Sequence, residues 1–208
     1  MNVFRFIADS SHLLAIVLLL WKIWTSRSCN GISGKSQILY MIVFALRYLD
    51  LFFSFISLYN TLMKITYLSA TAATIYLIYF KFKATYNKHS DNLNLFYFII
   101  PSAILGFTFS HNRDITEILW TCSLFLESVS VLPQLFLISK TREAEAITSH
   151  YLFALGSYRF FYILNWIYKF LVLSNLDVLS LCCGVVQTLL YLDFFYLYLT
   201  KGLKIFNS

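Results

Sequence analysis

The chain has 208 residues, of which 59% are hydrophobic, 19% aromatic and only 12% charged. Soluble domains carry about 25% charged residues, so this composition excludes an ordinary soluble domain and indicates a membrane protein. The net charge is +6, a basic excess that requires an explanation other than nucleic acid binding.

Seven apolar runs are long enough to be considered as membrane spans. A helix needs about 20 mostly apolar residues to cross a hydrocarbon core of about 30 Å. In chain order the predicted spans are residues 2–20, 36–56, 61–80, 95–109, 116–138, 151–171 and 179–200. The fourth is the shortest, and it contains Pro101 near its start.

The basic residues of the connecting loops predict the orientation of these spans, because Lys and Arg concentrate on the cytosolic side. Loops after the odd-numbered spans and the tail carry Lys22, Arg27, Lys35, Lys81, Lys83, Lys88, Lys140, Arg142, Lys201 and Lys204. The other loops carry little beyond Arg113. We therefore expect a luminal N-terminus and a cytosolic C-terminus, and no nucleic acid partner.

An internal repeat relates the two halves of the chain. Arg47-Tyr48 in the second span and Tyr158-Arg159 in the sixth lie at similar depth, and the offset of about 112 to 115 residues spans four helices. The fold class is therefore predicted as an all-α membrane protein with two parallel three-helix repeats, at about 1–83 and 116–204, joined by a linker helix at about 94–110. This plan resembles that of the SWEET transporters, and Pro133-Gln134 resembles their PQ-loop signature.

Charged residues inside the spans predict a shared polar cavity. Each charge at a helix centre costs about 2.5–3.5 kcal/mol unless it is paired or faces water. Helical spacing places Arg5, Asp9 and His12 on one face, and places Arg47 and Asp50 three residues apart. On the fifth span one stripe contains Glu117, Trp120 and Glu127, and on the sixth Arg159, Tyr162, Trp166 and Lys169 share a stripe with Tyr158 and Asn165 alongside.

The balance of these charges indicates the ligand. Arg5, Arg47, Arg159 and Lys169 collect positive charge on the predicted luminal portions of three spans, and guanidinium groups bind carboxylates with two parallel hydrogen bonds. We therefore expect a ligand with several carboxylates, such as a short acidic peptide. Asp50, Glu117 and Trp120 would suit a cationic or aromatic group at its other end. The alternative is that internal ion pairs only hold the helices together.

His12 is the histidine that lies within a predicted span, and its reference pKa near 6.5 allows it to change charge between a neutral and a mildly acidic compartment. If acid strengthens binding, His12 must have a higher pKa in the bound state. The alternative is a core histidine paired with Asp9. A hydroxyl-carboxylate bond between Tyr158 and Glu127 is a candidate lock for one conformation.

Long motifs in this chain resemble the KDEL receptors, the ER lumen protein retaining receptor family, over essentially the whole length. The most specific are Ser11-His-Leu-Leu-Ala, Gly31-Ile-Ser-Gly-Lys-Ser-Gln, Arg47-Tyr-Leu-Asp-Leu-Phe, Leu132-Pro-Gln-Leu, Ile147-Thr-Ser-His-Tyr-Leu-Phe-Ala-Leu-Gly and Tyr191-Leu-Asp-Phe-Phe-Tyr-Leu-Tyr. The resemblance implies a receptor in endoplasmic reticulum, Golgi and COPI vesicle membranes. It would bind the C-terminal KDEL or HDEL signal of escaped luminal proteins at acidic pH and release it at neutral pH.

The resemblance also implies roles for individual residues. Arg47 and Arg159 would hold the terminal carboxylate end, Arg5 the Glu of the signal and position 169 the Asp. The first residue of the signal would meet Asp50, Glu117 and Trp120, with Tyr48, Tyr162, Asn165 and Trp166 in the same binding set. His12 would be the proton switch, Tyr158 with Glu127 the lock, and Asp193 a residue for return transport.

Two positions depart from the family pattern. Lys169 stands where an arginine is expected in animal receptors, and this removes the bidentate geometry. The tail lacks adjacent lysines, so Lys201 and Lys204 are the candidates for recruiting the COPI coat.

A competing hypothesis is a proton-coupled carrier of small solutes, similar to SWEET and PQ-loop transporters, which would use His12 and Asp9. An enzyme is not expected, since no nucleophile-base pair is apparent. The cysteines Cys29, Cys122, Cys182 and Cys183 lack metal-ligand spacing, so we expect neither a metal nor another cofactor.

Overall fold

The computed structural model describes residues 2–141, 146–174 and 177–205, and it leaves undescribed the side chains of 146–149, 173, 193–195 and 197–205. Over these residues the regular structure is helical, which confirms the predicted all-α class. The α-helices are α1 Val3–Ser26, α2 Gly34–Arg47, α3 Leu58–Tyr76, α4 Phe96–Phe109, α5 Ile115–Val129, α6 Leu132–Thr141, α7 Ala146–Leu173 and α8 Val178–Ile205. Short helical turns cover Leu49–Phe52 and Lys83–Thr85, and a π-helical turn, Leu77–Lys81, continues α3.

Several of these segments are suited to a membrane. By length and apolar composition, Val3–Ser26, Leu58–Lys81 and the joined α5 and α6, Ile115–Thr141, are able to cross a bilayer. Shorter apolar helices lie at Phe96–Phe109 and Val178–Leu192. Large apolar side chains on these helices are more than half exposed, among them Trp24, Leu62, Ile104 and Leu189. Soluble proteins rarely expose such surfaces, which are typical of contact with lipid.

The second predicted span, residues 36–56, does not form a single helix. The α-helix ends at Arg47, and a 3₁₀ turn follows at Leu49–Phe52. No proline or glycine occurs from residue 35 to residue 57. The end of the helix is therefore not caused by a missing N–H donor or by a residue without a Cβ atom. The change of path coincides with charged residues that bind two different helices, Arg47 to α5 and Asp50 to α3. A continuous helix would hold both side chains in one fixed register.

The fifth predicted span, 116–138, is interrupted. Helix α5 ends at Val129, and α6 begins at Leu132. Pro133 explains the break because it has no N–H group with which to continue the hydrogen bonding of α5. The Gln134 N–H instead closes a tight turn onto the carbonyl of Val131, at 3.0 Å.

The chain divides into two compact units, which we name by their helices. The α2–α6 unit comprises Ile23–Glu143. Within it α5 packs against α2 and α4, and α2 also packs against α3 and α6. Gly106 of α4 allows the closest approach, because a Cβ atom there would lie 2.7 Å from the Cα of Cys122. This packing fixes the positions of α2 and α5, which carry several candidate site residues.

The α1/α7/α8 unit comprises Met1–Lys22 and Ala144–Ser208. Helix α7 packs against α8, and Gly184 of α8 lies beneath the Trp166 ring, where a Cβ atom would be 2.5 Å from the indole. Asp177 caps the start of α8, because its carboxylate accepts the Ser180 N–H at 3.0 Å and the Ser180 hydroxyl at 2.5 Å. A division by contacts does not test repeat symmetry, so the two parallel repeats stay a prediction.

Candidate functional site

Arg47 ends α2 and binds α5 through two of its three guanidinium nitrogens. Its Nη1 forms an ion pair with Glu127, whose side chain is only 2% exposed. Its Nε donates to the hydroxyl of Ser123 at 3.1 Å, and that hydroxyl donates to the Trp120 carbonyl at 2.6 Å. The remaining nitrogen, Nη2, is buried and has no hydrogen-bond partner within the part of the chain that is described. Arg47 therefore keeps one donor group available.

Asp50 lies in the turn after α2 and binds α3. Its Oδ2 accepts a hydrogen bond from the Lys64 ammonium at 2.5 Å. Lys64 is 8% exposed, and its Nζ lies 5.7 Å from the centre of the Tyr48 ring. The Tyr48 ring in turn stacks on Phe44 and Tyr67. These residues form a cation site of one carboxylate and one aromatic face.

Glu117 and Trp120 occupy the first turns of α5. Glu117 accepts the backbone N–H of His111 at 3.0 Å, and this bond ties the loop before α5 to the helix. The Trp120 side chain keeps about a third of its surface exposed, at 36%. An acidic residue in the first turn is also favoured by the positive end of the helix dipole. Both side chains are accessible for a ligand contact.

Arg5 and Asp9, which helical spacing predicts on one face of α1, form an ion pair. Nε of Arg5 lies 3.8 Å from the Asp9 carboxylate, with the Arg5 side chain 43% exposed and that of Asp9 9% exposed. The Tyr162 hydroxyl of α7 donates to the same carboxylate. Asn165, one turn further along α7, accepts a hydrogen bond from the Asn2 amide at 2.8 Å. The start of α1 is thereby joined to the middle of α7.

Tyr158 lies at the centre of a second contact between α1 and α7. The His12 ring stacks on the Tyr158 ring with centroids 4.2 Å apart and planes 6° apart. The Tyr158 hydroxyl accepts hydrogen bonds from Nε of Arg159 at 3.0 Å and from the Gln187 amide of α8 at 3.3 Å. His12, Tyr158 and Arg159 are all buried.

The remaining residues of the α7 stripe differ in their surroundings. Trp166 is held against Gly184 and stacks at a tilt on Tyr162, with centroids 5.7 Å apart. Lys169, one turn later, is partly exposed and makes no hydrogen bond or ion pair with the described residues. The side chains of Asp193, Lys201 and Lys204 lie outside the described residues, so their predicted roles are not tested here.

Each unit thus brings together part of the predicted set. The α1/α7/α8 unit gathers Arg5, His12, Tyr158, Arg159, Tyr162 and Asn165, and the α2–α6 unit gathers Arg47, Tyr48, Asp50, Trp120 and Glu127. The predicted bond between Tyr158 and Glu127 would join residues of different units, and it stays a prediction.

Four residues of this geometry were missed by the sequence analysis: Asn2, Lys64, Ser123 and Gln187. All four carried a detectable signal, since each is a polar residue within a predicted span. Their partners were not readable, because these depend on how the neighbouring helices are rotated.

A separate polar cluster surrounds the start of α2. Asp91, 2% exposed, accepts hydrogen bonds from the Ser33 hydroxyl at 2.9 Å, the Lys35 N–H at 3.1 Å and the Tyr86 hydroxyl at 2.6 Å. Burial and, next, the hydrogen bond to Asp91 raise the pKa of Tyr86 above its usual value of 10.0. The cluster orders the loop after α3 against the first turn of α2.

Gln134 of the predicted PQ-loop signature completes this cluster. Its carbonyl accepts the Ser33 N–H at 2.7 Å, and its amide donates to the Gly31 carbonyl at 2.8 Å. Gly31 has a φ of +71°, which favours glycine. The glutamine therefore connects α6 to the turn before α2.

Comparisons with known proteins agree with one another. The sequence model of the ER lumen protein retaining receptor family matches residues 28–169. The chain is 58% identical over 204 residues to the human ER lumen protein-retaining receptor 2, covering 98% of this chain and 96% of the relative. With the same coverage it is 56% identical to the ER lumen protein-retaining receptor of Drosophila melanogaster and to the receptor erd-2.1 of Caenorhabditis elegans.

These relatives are named as receptors, in agreement with the prediction that the chain is not an enzyme. The family match covers more than half of the chain, and the relatives match nearly all of it. The chain belongs to the ER lumen protein retaining receptor family.

Proposed function

We propose that this protein retrieves soluble ER proteins by binding a C-terminal signal of the KDEL or HDEL type. The observation that carries the proposal is the 58% identity to a named ER lumen protein-retaining receptor over 98% of the chain. The charges inside the helices support it independently. A signal of this kind ends in a carboxylate, carries a Glu and an Asp, and begins with a cationic residue.

The acidic end of the signal would be bound by cationic side chains. We assign Arg47 and Arg159 to the terminal carboxylate end, Arg5 to the Glu and Lys169 to the Asp. The buried, unpartnered Nη2 of Arg47 supports this assignment, because a ligand carboxylate would satisfy it. Arg5 and Lys169 keep enough exposure to reach a ligand.

The first residue of the signal would meet a different set. Asp50 and Glu117 supply carboxylates, and the exposed indole of Trp120 supplies an aromatic face. We assign the remaining contacts to Tyr48, Tyr162, Asn165 and Trp166. The tilted pair of Tyr162 and Trp166 supports this, because it provides two adjacent aromatic rings for a ligand contact.

His12 would provide the pH response. Its stacking on Tyr158 couples any change in its charge to the Tyr158 hydroxyl and to Arg159. A bond from the Tyr158 hydroxyl to Glu127 would then act as the lock. For stronger binding in acid, His12 must have a higher pKa in the bound state than in the free state.

The cellular setting follows from the same proposal. We infer residence in endoplasmic reticulum, Golgi and COPI vesicle membranes, with the N-terminus luminal and the C-terminus cytosolic, as the loop charges predict. Asp193 would serve return transport, and Lys201 and Lys204 would recruit the coat. The helices would form two parallel repeats joined by α4, as in SWEET-like proteins.

A binding titration tests the proposal. Purified receptor in nanodiscs is titrated with an HDEL-type peptide at about pH 5.5 and about pH 7.4, on either side of the reference pKa of histidine. We expect tight binding in acid, weak binding at neutral pH, and loss of binding when the terminal carboxylate is amidated. Equal affinity for the amidated peptide would refute the role of the arginines.

Two further measurements separate the parts of the proposal. The His12→Ala variant should lose the pH response, and an unchanged profile would assign the switch to another group. Net uptake of a small solute by proteoliposomes would instead favour the proton-coupled carrier that the sequence leaves open.

A further inference from the structure

Lys64 fills a cation site with the chain's own ammonium group. Its Nζ lies 2.5 Å from Oδ2 of Asp50 and 5.7 Å from the centre of the Tyr48 ring. Only 10% of the Lys64 side chain is exposed, although 40% of Asp50 is. A carboxylate beside an aromatic face is a general means of binding a cationic group. Solvent therefore reaches the pair mainly from the Asp50 side.

One carboxylate oxygen of Asp50 is hydrogen-bonded and the other is not. Oδ1 is buried and has no hydrogen-bond partner among the described residues, whereas Oδ2 accepts from Lys64. A buried acceptor without a donor is unfavourable, so a donor that arrives with a ligand would be stabilised there. Asp50 can accept that donor at Oδ1 without first losing Lys64.

The charge of Lys64 changes what Asp50 prefers to bind. Alone, the Asp50 carboxylate would attract a full positive charge. With Lys64 bound, the two charges cancel, and an arriving cation meets a like charge at Oδ2 as well as the unpartnered acceptor Oδ1. A neutral donor is not repelled by Lys64, since it carries no net charge. Lys64 therefore reduces the advantage of a cationic group over a neutral one.

We propose that Lys64 is a specificity-determining residue, an internal counter-ion that limits the preference of Asp50 for a cationic first residue in the bound peptide. The inference rests on the proposed function, which supplies the peptide and the contact with Asp50. Lys64 acts through Asp50 and needs no contact with the peptide.

Removing the charge of Lys64 tests this inference. Wild type and Lys64→Met are titrated with three free-carboxylate peptides that differ only in the first residue, which is Lys, His or Gln. The ratio of the Kd for the Gln peptide to the Kd for the Lys peptide should rise about five- to tenfold in the variant, because the carboxylate then attracts the full ligand charge. The Lys64→Arg variant keeps the charge, and its ratio should stay within about twofold of wild type.

Two additional variants make the experiment decisive. Lys88→Met removes the same charge from an exposed loop residue, and its ratio should equal that of wild type. If Lys64→Met does not fold, Lys64→Gln keeps a hydrogen-bond donor for Asp50, and its ratio should rise in the same direction.

The outcomes for this inference and for the proposed function are distinct. An unchanged ratio in the folded Lys64 variant, with normal binding by wild type, overturns the role of Lys64 and leaves the receptor function intact. Failure of wild type to distinguish free-carboxylate from amidated peptides overturns the proposed function itself.

Discussion

The two units treat their buried charges differently. In the α2–α6 unit, Arg47 is paired with Glu127 and Lys64 with Asp50. In the α1/α7/α8 unit the candidate binding residues include three cations, Arg5, Arg159 and Lys169, and Asp9 forms an ion pair with Arg5. In the α2–α6 unit the ion pairs bury Glu127 and Lys64, whereas Arg5 and Lys169 of the other unit are partly exposed. The two units should therefore respond differently to the loss of one charge.

The largest expected effect concerns stability. Arg47→Met removes the ion-pair partner of a carboxylate that is only 2% exposed, and we expect the free energy of unfolding to fall by about 3–5 kcal/mol. Arg5→Met breaks a more exposed pair in the other unit and should cost about 0–1 kcal/mol. Denaturation of both variants in the same detergent measures the contrast. Equal losses would mean that the two units do not differ in this way.

A double variant sharpens the same point. Arg47→Met combined with Glu127→Met removes both charges, so it should recover part of the stability lost in Arg47→Met. Further loss would indicate that Glu127 stabilises the fold through other contacts.

The second prediction concerns ligand affinity in the α1/α7/α8 unit. Arg159→Gln removes the guanidinium assigned to the terminal carboxylate, and we expect the Kd of an HDEL-type peptide to rise about 10- to 100-fold, which corresponds to one or two charge-assisted hydrogen bonds. In this variant, amidation of the peptide should weaken binding only slightly further. Fully additive losses would show that Arg159 and the terminal carboxylate do not interact.

Sequence periodicity was sufficient for much of the fold. Long apolar runs predicted α1, α3, α7 and α8, and the i, i+4 spacing of Arg5 and Asp9 predicted that they share a face of α1. Both rest on interactions within a single helix, which the order of residues determines.

Predictions that depend on neighbouring helices were less complete. The end of α2 at Arg47 and the break at Pro133 were not predicted, although Pro133 gave a local reason for the second. The pairing of Asp50 with Lys64 was not visible because it requires the rotation of α3 against the turn after α2. A bond across helices is determined by packing, and no period in the sequence encodes that packing.

The third prediction returns to the α1/α7/α8 unit. Lys169 makes no hydrogen bond or ion pair with the described residues, so Lys169→Arg should add bidentate geometry without breaking a contact. We expect about tenfold tighter binding of a peptide with Asp at the matching position, measured by titration. A peptide with Asn there should show no such gain. A gain for both peptides would indicate a general effect of the larger side chain.

The smallest expected effect concerns the cluster at the start of α2, where a carboxylate of the α2–α6 unit is held by neutral donors. Tyr86→Phe removes the 2.6 Å hydrogen bond to Asp91, and the free energy of unfolding should fall by about 1 kcal/mol near neutral pH. The matched variant in the other unit is Ser180→Ala, which removes the 2.5 Å bond to Asp177 and should cost a similar amount. A much larger loss for Tyr86→Phe would show that the loop after α3 supports more of its unit than this one bond.

The pH dependence separates these two variants. Because burial and Asp91 raise the pKa of Tyr86 above 10.0, the folded chain holds this proton more tightly than the unfolded chain. The stabilisation is complete below the unfolded pKa of about 10, and it decreases as pH rises above that value. Unfolding measured between about pH 8 and 11 should therefore show a steeper alkaline loss in wild type and in Ser180→Ala than in Tyr86→Phe. Equal slopes in all three would mean that Tyr86 keeps an ordinary pKa and that Asp91 is held by the Ser33 and Lys35 donors alone.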